Sequence, residues 1–214
     1  MKYLAIIGDV VDSKRLPRRD EFQLQLADTL KKISSRNSSL VSPYTITLGD
    51  EFQAVYRSAD RLFADMFAIW RDVYPGEVRF AIGVGGLDTA INPKQALGMD
   101  GPAFHRARES LTALKKTDYR ISLQGDPAPQ GPTFDPWNLL NHLLNLVSHK
   151  IGRWEENRLR IMCGLLANRS VAEIEEELRI SKVAIYKNIN AAALDEMKGL
   201  CDEITRFLTL ELKK

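Results

Sequence analysis

Two acidic segments, far apart in the chain, carry the residues best suited to chemistry. The first is IIGDVVDS (residues 6–13), with Asp9 and Asp12. The second is TITLGDEFQAVY (residues 45–56), with Asp50 and Glu51 beside Gly49, between two runs of strand-favouring residues. Hard divalent cations such as Mg²⁺ or Mn²⁺ bind through one or two carboxylates plus substrate phosphates and keep several waters. A pair of such ions holds the attacking and leaving oxygens of a nucleotidyl transfer in line. Carboxylates at a strand end facing carboxylates at a hairpin tip would supply the donors. The plainer alternative is turn chemistry at Gly49-Asp50 and four solvated acids. Local sequence leaves both open.

The elements that must position these residues can be read from periodicity. YLAII (3–7) is a continuous apolar run, as in a strand buried on both faces. From Arg18 onward Phe22, Leu26, Leu30 and Ile33 recur at helical spacing, and residues 34–42 form a polar, loop-like stretch. Strands near 44–48 and 52–56 make the hairpin. A helix over 59–73 carries Leu62, Phe63, Met66, Phe67 and Trp70; Pro75-Gly76 ends it, and VRFAIGV (78–84) is the next strand. The order strand, helix, hairpin, helix, strand predicts a split βαβ sheet, with its first two strands parallel and the third inserted between them. The end of the first strand and the hairpin turn then share one sheet edge, which puts Asp9 beside Asp50 and Glu51.

GPAFHRARESLTAL (101–114) reads as a helix with Pro102 in its first turn, and residues 119–123 as an edge strand. Lys14 and Arg15 follow the first strand, where Lys14 could meet a phosphate as a point charge. Arg106 and Arg108 lie two apart on a helix and diverge; Arg108 is the one assigned to the site. Asp100 is a candidate cap for the Pro102 helix. GDPAPQGPTFDP (125–136) reads as a linker. The fold expected is α+β: a ferredoxin-like or palm sheet over 1–124, with helices packed on it, followed by an all-α domain over 137–214.

The pair IIGDVVDS and TLGDEFQAVY resembles the metal-binding segments of class III nucleotide cyclases and GGDEF diguanylate cyclases. Together GDVVDS, LGDEFQ, AIGVG and DGPAF-x-RAR most resemble the bacterial SatD family, over nearly the whole chain. The cyclase resemblance implies metal carboxylates at Asp9 and Asp50, with Glu51 at the penultimate acidic position of the hairpin; Asp12 is a further candidate ligand from its place in the first acidic segment. The resemblance implies a nucleoside triphosphate or other nucleotide as ligand, with Arg108 stabilising developing charge; by position, Lys14 is a second candidate for that charge and Gly49 a candidate nucleotide contact at the hairpin. Three departures stand out: the cyclase Asn falls on Phe104, the base-reading Lys on Ile46, and the first Gly of GGDEF on Leu48. Metal–nucleotide binding therefore transfers better than cyclase activity.

In the tail, SVAEIEEELRISKVAIYKNINAAA (170–193) has the layout of a helix-turn-helix. Val171, Ile174 and Leu178 form one apolar stripe, Val183, Tyr186 and Ile189 a second, with Ser181 an apt N-cap. In such motifs the second helix enters the major groove by its N-terminal residues. Ser181, Lys182, Ala184, Ile185, Lys187 and Asn188 are the candidates to face DNA: the lysines for phosphates, Asn188 for an adenine edge. The alternative is a helical packing or dimerisation unit. A small helix-turn-helix ordinarily needs a dimer, so a homodimer is expected, and the helix over 137–154 reads as connecting or dimerising.

The net charge of +2 excludes a global nucleic-acid footprint, so any DNA contact must be a local patch. Two cysteines without metal or disulfide spacing suit a reducing cytoplasm, and no window reaches membrane-span length. The expectation is a cytoplasmic DNA-binding regulator with a metal-dependent nucleotide-binding domain. The alternative is an active nucleotidyl cyclase or transferase using two Mg²⁺, its helical tail serving oligomerisation or control.

Overall fold

Strand β1 (Tyr3–Val10) occupies the middle of a five-stranded sheet, where an unbroken apolar run belongs. The order is β2 (Leu40–Leu48), β3 (Glu51–Tyr56), β1, β4 (Val78–Gly85), β5 (Ile121–Gln124). β1 pairs antiparallel with both β3 and β4, and β5 adds in parallel to β4. The third strand thus lies between the first two, as the element order predicts. The computed structural model describes residues 1–127 and 134–214; the centre of the expected linker, 128–133, lies outside the described residues.

The pleat sends alternate residues to two different layers. Leu4, Ile6 and Phe80 join the core under α1 (Arg19–Arg36) and α2 (Leu62–Val73), with Leu26, Leu30 and Phe67. Ala5, Ile7 and Ala81 point the other way, against Ala103, Phe104 and Ala107 of α3 (Pro102–Leu114). α3 sits close because β4 offers it a glycine: a Cβ on Gly83 would lie 2.0 Å from the Ala103 carbonyl oxygen and 2.6 Å from the Ala107 nitrogen. Asp9 is next in the odd-numbered series and so belongs to the α3 layer.

The stretch read as a loop over 34–42 is shorter in the structure. α1 runs to Arg36 and β2 starts at Leu40. Side chains there serve backbone instead of solvent: Asn37 accepts from the Ser39 N–H at 2.8 Å, and Ser34 accepts from the Tyr44 N–H at 3.0 Å. β2 itself is irregular, its register with β3 shifting three times along its length.

The tail consists of α4 (Pro136–Ile151), α5 (Glu156–Leu166), α6 (Val171–Leu178), α7 (Lys182–Ala192) and α8 (Leu194–Leu212). It shares the sheet's apolar core. α4 lies along β5 with Trp137, Leu140, Leu144 and Val147 buried. Trp137 stacks edge-on against Phe207 of α8, ring centres 5.1 Å apart, and its indole N–H donates to the Asp126 carbonyl at 2.8 Å. Asn141 of α4 reaches the outer edge of β5, accepting from the Leu123 N–H at 2.9 Å and donating to the Leu123 carbonyl at 2.7 Å. No described helix is long and apolar enough to cross a membrane.

Candidate functional site

Three charged side chains stand abreast across the α3 face of the sheet. Asp9 of β1 is in register with Glu51 of β3 on one side and Arg79 of β4 on the other. Partners in an antiparallel register present their side chains on the same face. Two bases from the C-terminal half of α3 and just beyond it close over this row. Arg108 Nη1 meets Glu51 Oε2 at 2.6 Å, and Lys115 Nζ bridges Asp9 Oδ1 at 2.8 Å and Glu51 Oε1 at 3.0 Å. Arg79 Nη1 lies 3.6 Å from Asp9 Oδ2, and its buried Nε has no hydrogen-bond partner among the described residues. Three cations surround Asp9 and Glu51, with Asp50 near enough to repel Asp9, and the Arg79 Nε is a buried donor without a partner among the described residues, which favours an incoming acceptor.

The carboxyls respond to this setting in opposite directions. Burial pushes Asp9 up from its ordinary value and outweighs the hydrogen bond from Lys115. Burial acts the same way on Glu51, but the bonds from Arg108 and Lys115 outweigh it and hold that carboxyl low. For Lys115, burial would favour the neutral amine, yet its bonds to Asp9 and Glu51 prevail and raise it.

The other sequence candidates divide. Asp50 sits at the turn, its carbonyl accepting from the Val10 N–H at 3.1 Å. Its carboxylate accepts a hydrogen bond from the Ser13 hydroxyl instead of joining the Asp9–Glu51 row. Asp12 is exposed, in a left-handed conformation (φ 47°) at the start of a 3₁₀ turn over Ser13–Arg15. Among the described residues no three acidic, His or Cys side chains form a group that could hold a metal by themselves. Of the four expected carboxylates, Asp9 and Glu51 form a facing pair, Asp50 is adjacent and Asp12 is in solvent. Lys14 is exposed on the 3₁₀ turn, with no ion pair among the described residues. Gly49 has φ +60°, the left-handed value its turn requires, and its carbonyl accepts from Gln23 at 3.2 Å. Arg106 diverges from Arg108, as their spacing predicts, and pairs with Asp126 at 2.7 Å. Asp100 does not cap α3: Gly101 holds that position, and Asp100 bonds His105 at 2.8 Å.

The tail contains the expected helix pair. Ser170 caps α6 through a capping box with Glu173, and Ser181 caps α7 by accepting from the Ala184 N–H. Arg179 takes the left-handed turn position (φ 56°) often given to glycine. A Cβ on Gly164 of α5 would lie 2.7 Å from Ile174, so α6 packs directly against that helix. The apolar stripe of α7 differs from expectation. Ile185, Ile189 and Ala192 are buried, whereas Val183 is 78% and Tyr186 53% exposed. Ile185 is thus a core residue and not a groove contact. Asn188 is also withdrawn from that role: it donates to the Ala184 carbonyl at 2.9 Å and accepts from Arg158 at 3.3 Å. Ser181, Lys182 and Lys187 are exposed and Ala184 is half-buried; Lys182 lies 3.7 Å from Glu175.

The SatD family matches this sequence over residues 3–200. The chain belongs to the SatD family. No curated protein matches it. Among solved structures, a bacterial light-regulated adenylyl cyclase aligns with this SatD-family chain at 12% identity and a TM-score of 0.40. That alignment covers 57% of this chain and 43% of the other, so the chain spans less than half the length of the structure it matches.

The departures from the cyclase pattern have structural counterparts in this SatD-family protein. Phe104 is buried in the apolar layer beneath α3, and Ile46 packs against the main core. Neither position carries a polar side chain. Two residues missed from sequence matter more. Lys115 lies one residue past α3 in a Lys-Lys pair that looks like a solvated helix end. Arg79 had a signal: a charged residue at an inward-facing position of a strand with buried neighbours on either side. For a divalent cation, Asp9 and Glu51 fit the protein share of a hard-ion site completed by waters and phosphates, and do not fit an all-protein cage. The bridging position between them is filled by the Lys115 ammonium.

Proposed function

We propose that the sheet unit binds a nucleotide with Mg²⁺ or Mn²⁺ at the row Arg79–Asp9–Glu51, and that the helical tail binds DNA. The reading rests on one observation above all: a facing pair of carboxylates on the sheet lies under the bases Arg108 and Lys115. Asp9 and Glu51 would hold the ion, whose chemistry is to neutralise and orient phosphate oxygens. Lys115, released from the carboxylates, would turn to phosphate, together with Arg108 and the unsatisfied Arg79. DNA binding is supported by the α6–α7 geometry and by the exposed Lys182, Val183, Tyr186 and Lys187 on one side of α7. Since one small helix-turn-helix gains useful affinity from a second half-site, the protein would act as a homodimer.

The second reading is a nucleotidyl cyclase or transferase. It is favoured by the retained acidic set, with Asp50 beside Asp9, and by cations placed to stabilise developing charge. Equilibrium binding of each nucleoside triphosphate with Mn²⁺, followed by chromatography of the products, separates the readings. Saturable binding lost in Asp9→Asn, without pyrophosphate release, supports the sensor. Turnover supports the enzyme. Absence of metal-dependent nucleotide binding defeats both.

A further inference from the structure

A cavity of about 530 Å³ opens between α1, α2, α5 and α6, on the side of the sheet away from the Asp9–Glu51 row. Its size is that of a small-ligand site. Cations reach it from every surrounding helix: Lys32 and Arg36 from α1, Arg61 and Arg71 at the two ends of α2, Arg160 from α5, and Arg169 just before α6. Three carboxylates also line it, and each is already engaged. Asp72 receives Arg71 at 2.6 Å, Glu177 receives Arg169, and Asp65 accepts hydrogen bonds from Tyr56 at 2.6 Å and from Asn37. Arg61 approaches Asp65 only to 4.0 Å, Arg160 meets Glu156 of its own helix at 3.5 Å, and Arg36 has no ion pair among the described residues. Three guanidinium groups thus remain able to turn toward an occupant. Small side chains at Ala64, Ala68 and Gly164 keep the space between them open.

We propose that this cavity binds a small molecule carrying two or more phosphate groups, at a site separate from the acidic row. The guanidinium fork matches phosphate oxygens two at a time, and excess positive charge in a concave setting selects a compact polyanion. The occupant would touch α1 and α2 of the sheet unit and α5 and α6 of the tail at once. Because α6 is the first helix of the helix-turn-helix, occupancy would bias where that unit sits, which is the requirement for coupling between two sites.

The test is titration calorimetry of the full chain with inorganic triphosphate, in EDTA and at fixed ionic strength, so that metal-bridged binding at the acidic row is removed. Saturable one-to-one binding is expected. It should weaken on the order of tenfold or more in Arg61→Ala/Arg160→Ala, since each charge-assisted bond lost is worth more than a neutral one. It should survive Lys115→Ala, which alters only the acidic row. Arg160→Gln, which removes one half-exposed charge and leaves the core intact, should weaken binding by a smaller factor with an unchanged unfolding midpoint. The proposal is overturned by absence of saturable binding. It is equally overturned if binding follows Lys115→Ala instead of the arginine variants, or if citrate binds as tightly as triphosphate. Failure here leaves metal-dependent nucleotide binding at Asp9 untouched, because the two respond to different variants.

Discussion

Replacing Lys115 by Met tests the acidic row directly. Met keeps most of the stem's length and packing and deletes only the ammonium. In the structure that ammonium is 2.8 Å from Asp9 and 3.0 Å from Glu51, its side chain 41% exposed against 7% and 13% for the two carboxylates. An effective dielectric constant of about 40, between roughly 20 for near-surface pairs and 80 for water, gives about 3 kcal/mol per contact. Desolvation and the ordering of a flexible side chain offset more than half of that sum, leaving a net contribution of about 2 kcal/mol. Urea denaturation followed by circular dichroism should therefore show Lys115→Met less stable by about 2 kcal/mol at neutral pH. Millimolar Mn²⁺ should restore much of the loss, because a divalent cation can take the vacated bridge and bind the folded state alone. It should stabilise wild type less, where the ammonium competes. A loss below about 0.5 kcal/mol, the level of an ordinary surface pair, would refute the energetic argument. Equal Mn²⁺ stabilisation of both proteins would refute the claim that Lys115 occupies the cation position.

Four further outcomes follow from packing, burial and exposure. Burial, offset in part by Tyr56, pushes Asp65 up to about 6, above its unfolded value. Its favourable contribution is therefore present below the ordinary carboxylate range and lost as pH rises through that value. The stability of wild type relative to Asp65→Asn should fall by about 3 kcal/mol between acid and neutral pH, and a difference flat with pH counts against this assignment. Gly83→Ala drives a methyl into the α3 backbone and should cost about 1–3 kcal/mol; by displacing Arg108 and Lys115 it should also weaken nucleotide binding. Unchanged stability would show that α3 can shift freely. On α7, Ile185→Ala should cost about 2–5 kcal/mol of stability. Lys187→Ala should instead leave the unfolding midpoint unchanged while weakening DNA binding and lowering its salt slope by about one. DNA affinity insensitive to Lys187→Ala would remove α7 from the interface.

The meeting of Asp9 with Glu51 was legible because element order dictates strand order, and strand order brings the end of β1 to the hairpin turn. Which of two neighbouring acids would face Asp9 was not legible. Asp50 falls in the turn while Glu51 opens β3, and only the observed register assigns Glu51 to the α3 layer. Lys115 was beyond reach for a related reason. Its role depends on where α3 ends over the sheet, which the close packing at Gly83 decides. α7 was ambiguous within its own sequence. Positions 183, 186 and 189 and positions 185, 189 and 192 both fit a helical apolar stripe, and contact with neighbouring helices selects the second. Asn188 could not be read as occupied without knowing that Arg158 lies beside it.

Asn141 gives the sheet a boundary. A parallel edge strand normally leaves a ladder of peptide groups open to another chain, the usual starting point for edge-to-edge aggregation. At Leu123 both the N–H and the carbonyl are already taken by one side-chain amide, which imitates a neighbouring strand without being able to extend. The opposite edge resists in another way: β2 contains Pro43, which has no N–H to offer, and its repeated register shifts break up any flat template. A partner copy that binds this molecule would then find neither edge ready for continued strand addition. Self-association through helical faces closes after a fixed number of copies more readily than growth along a ladder, and the protein is built to keep the second route shut.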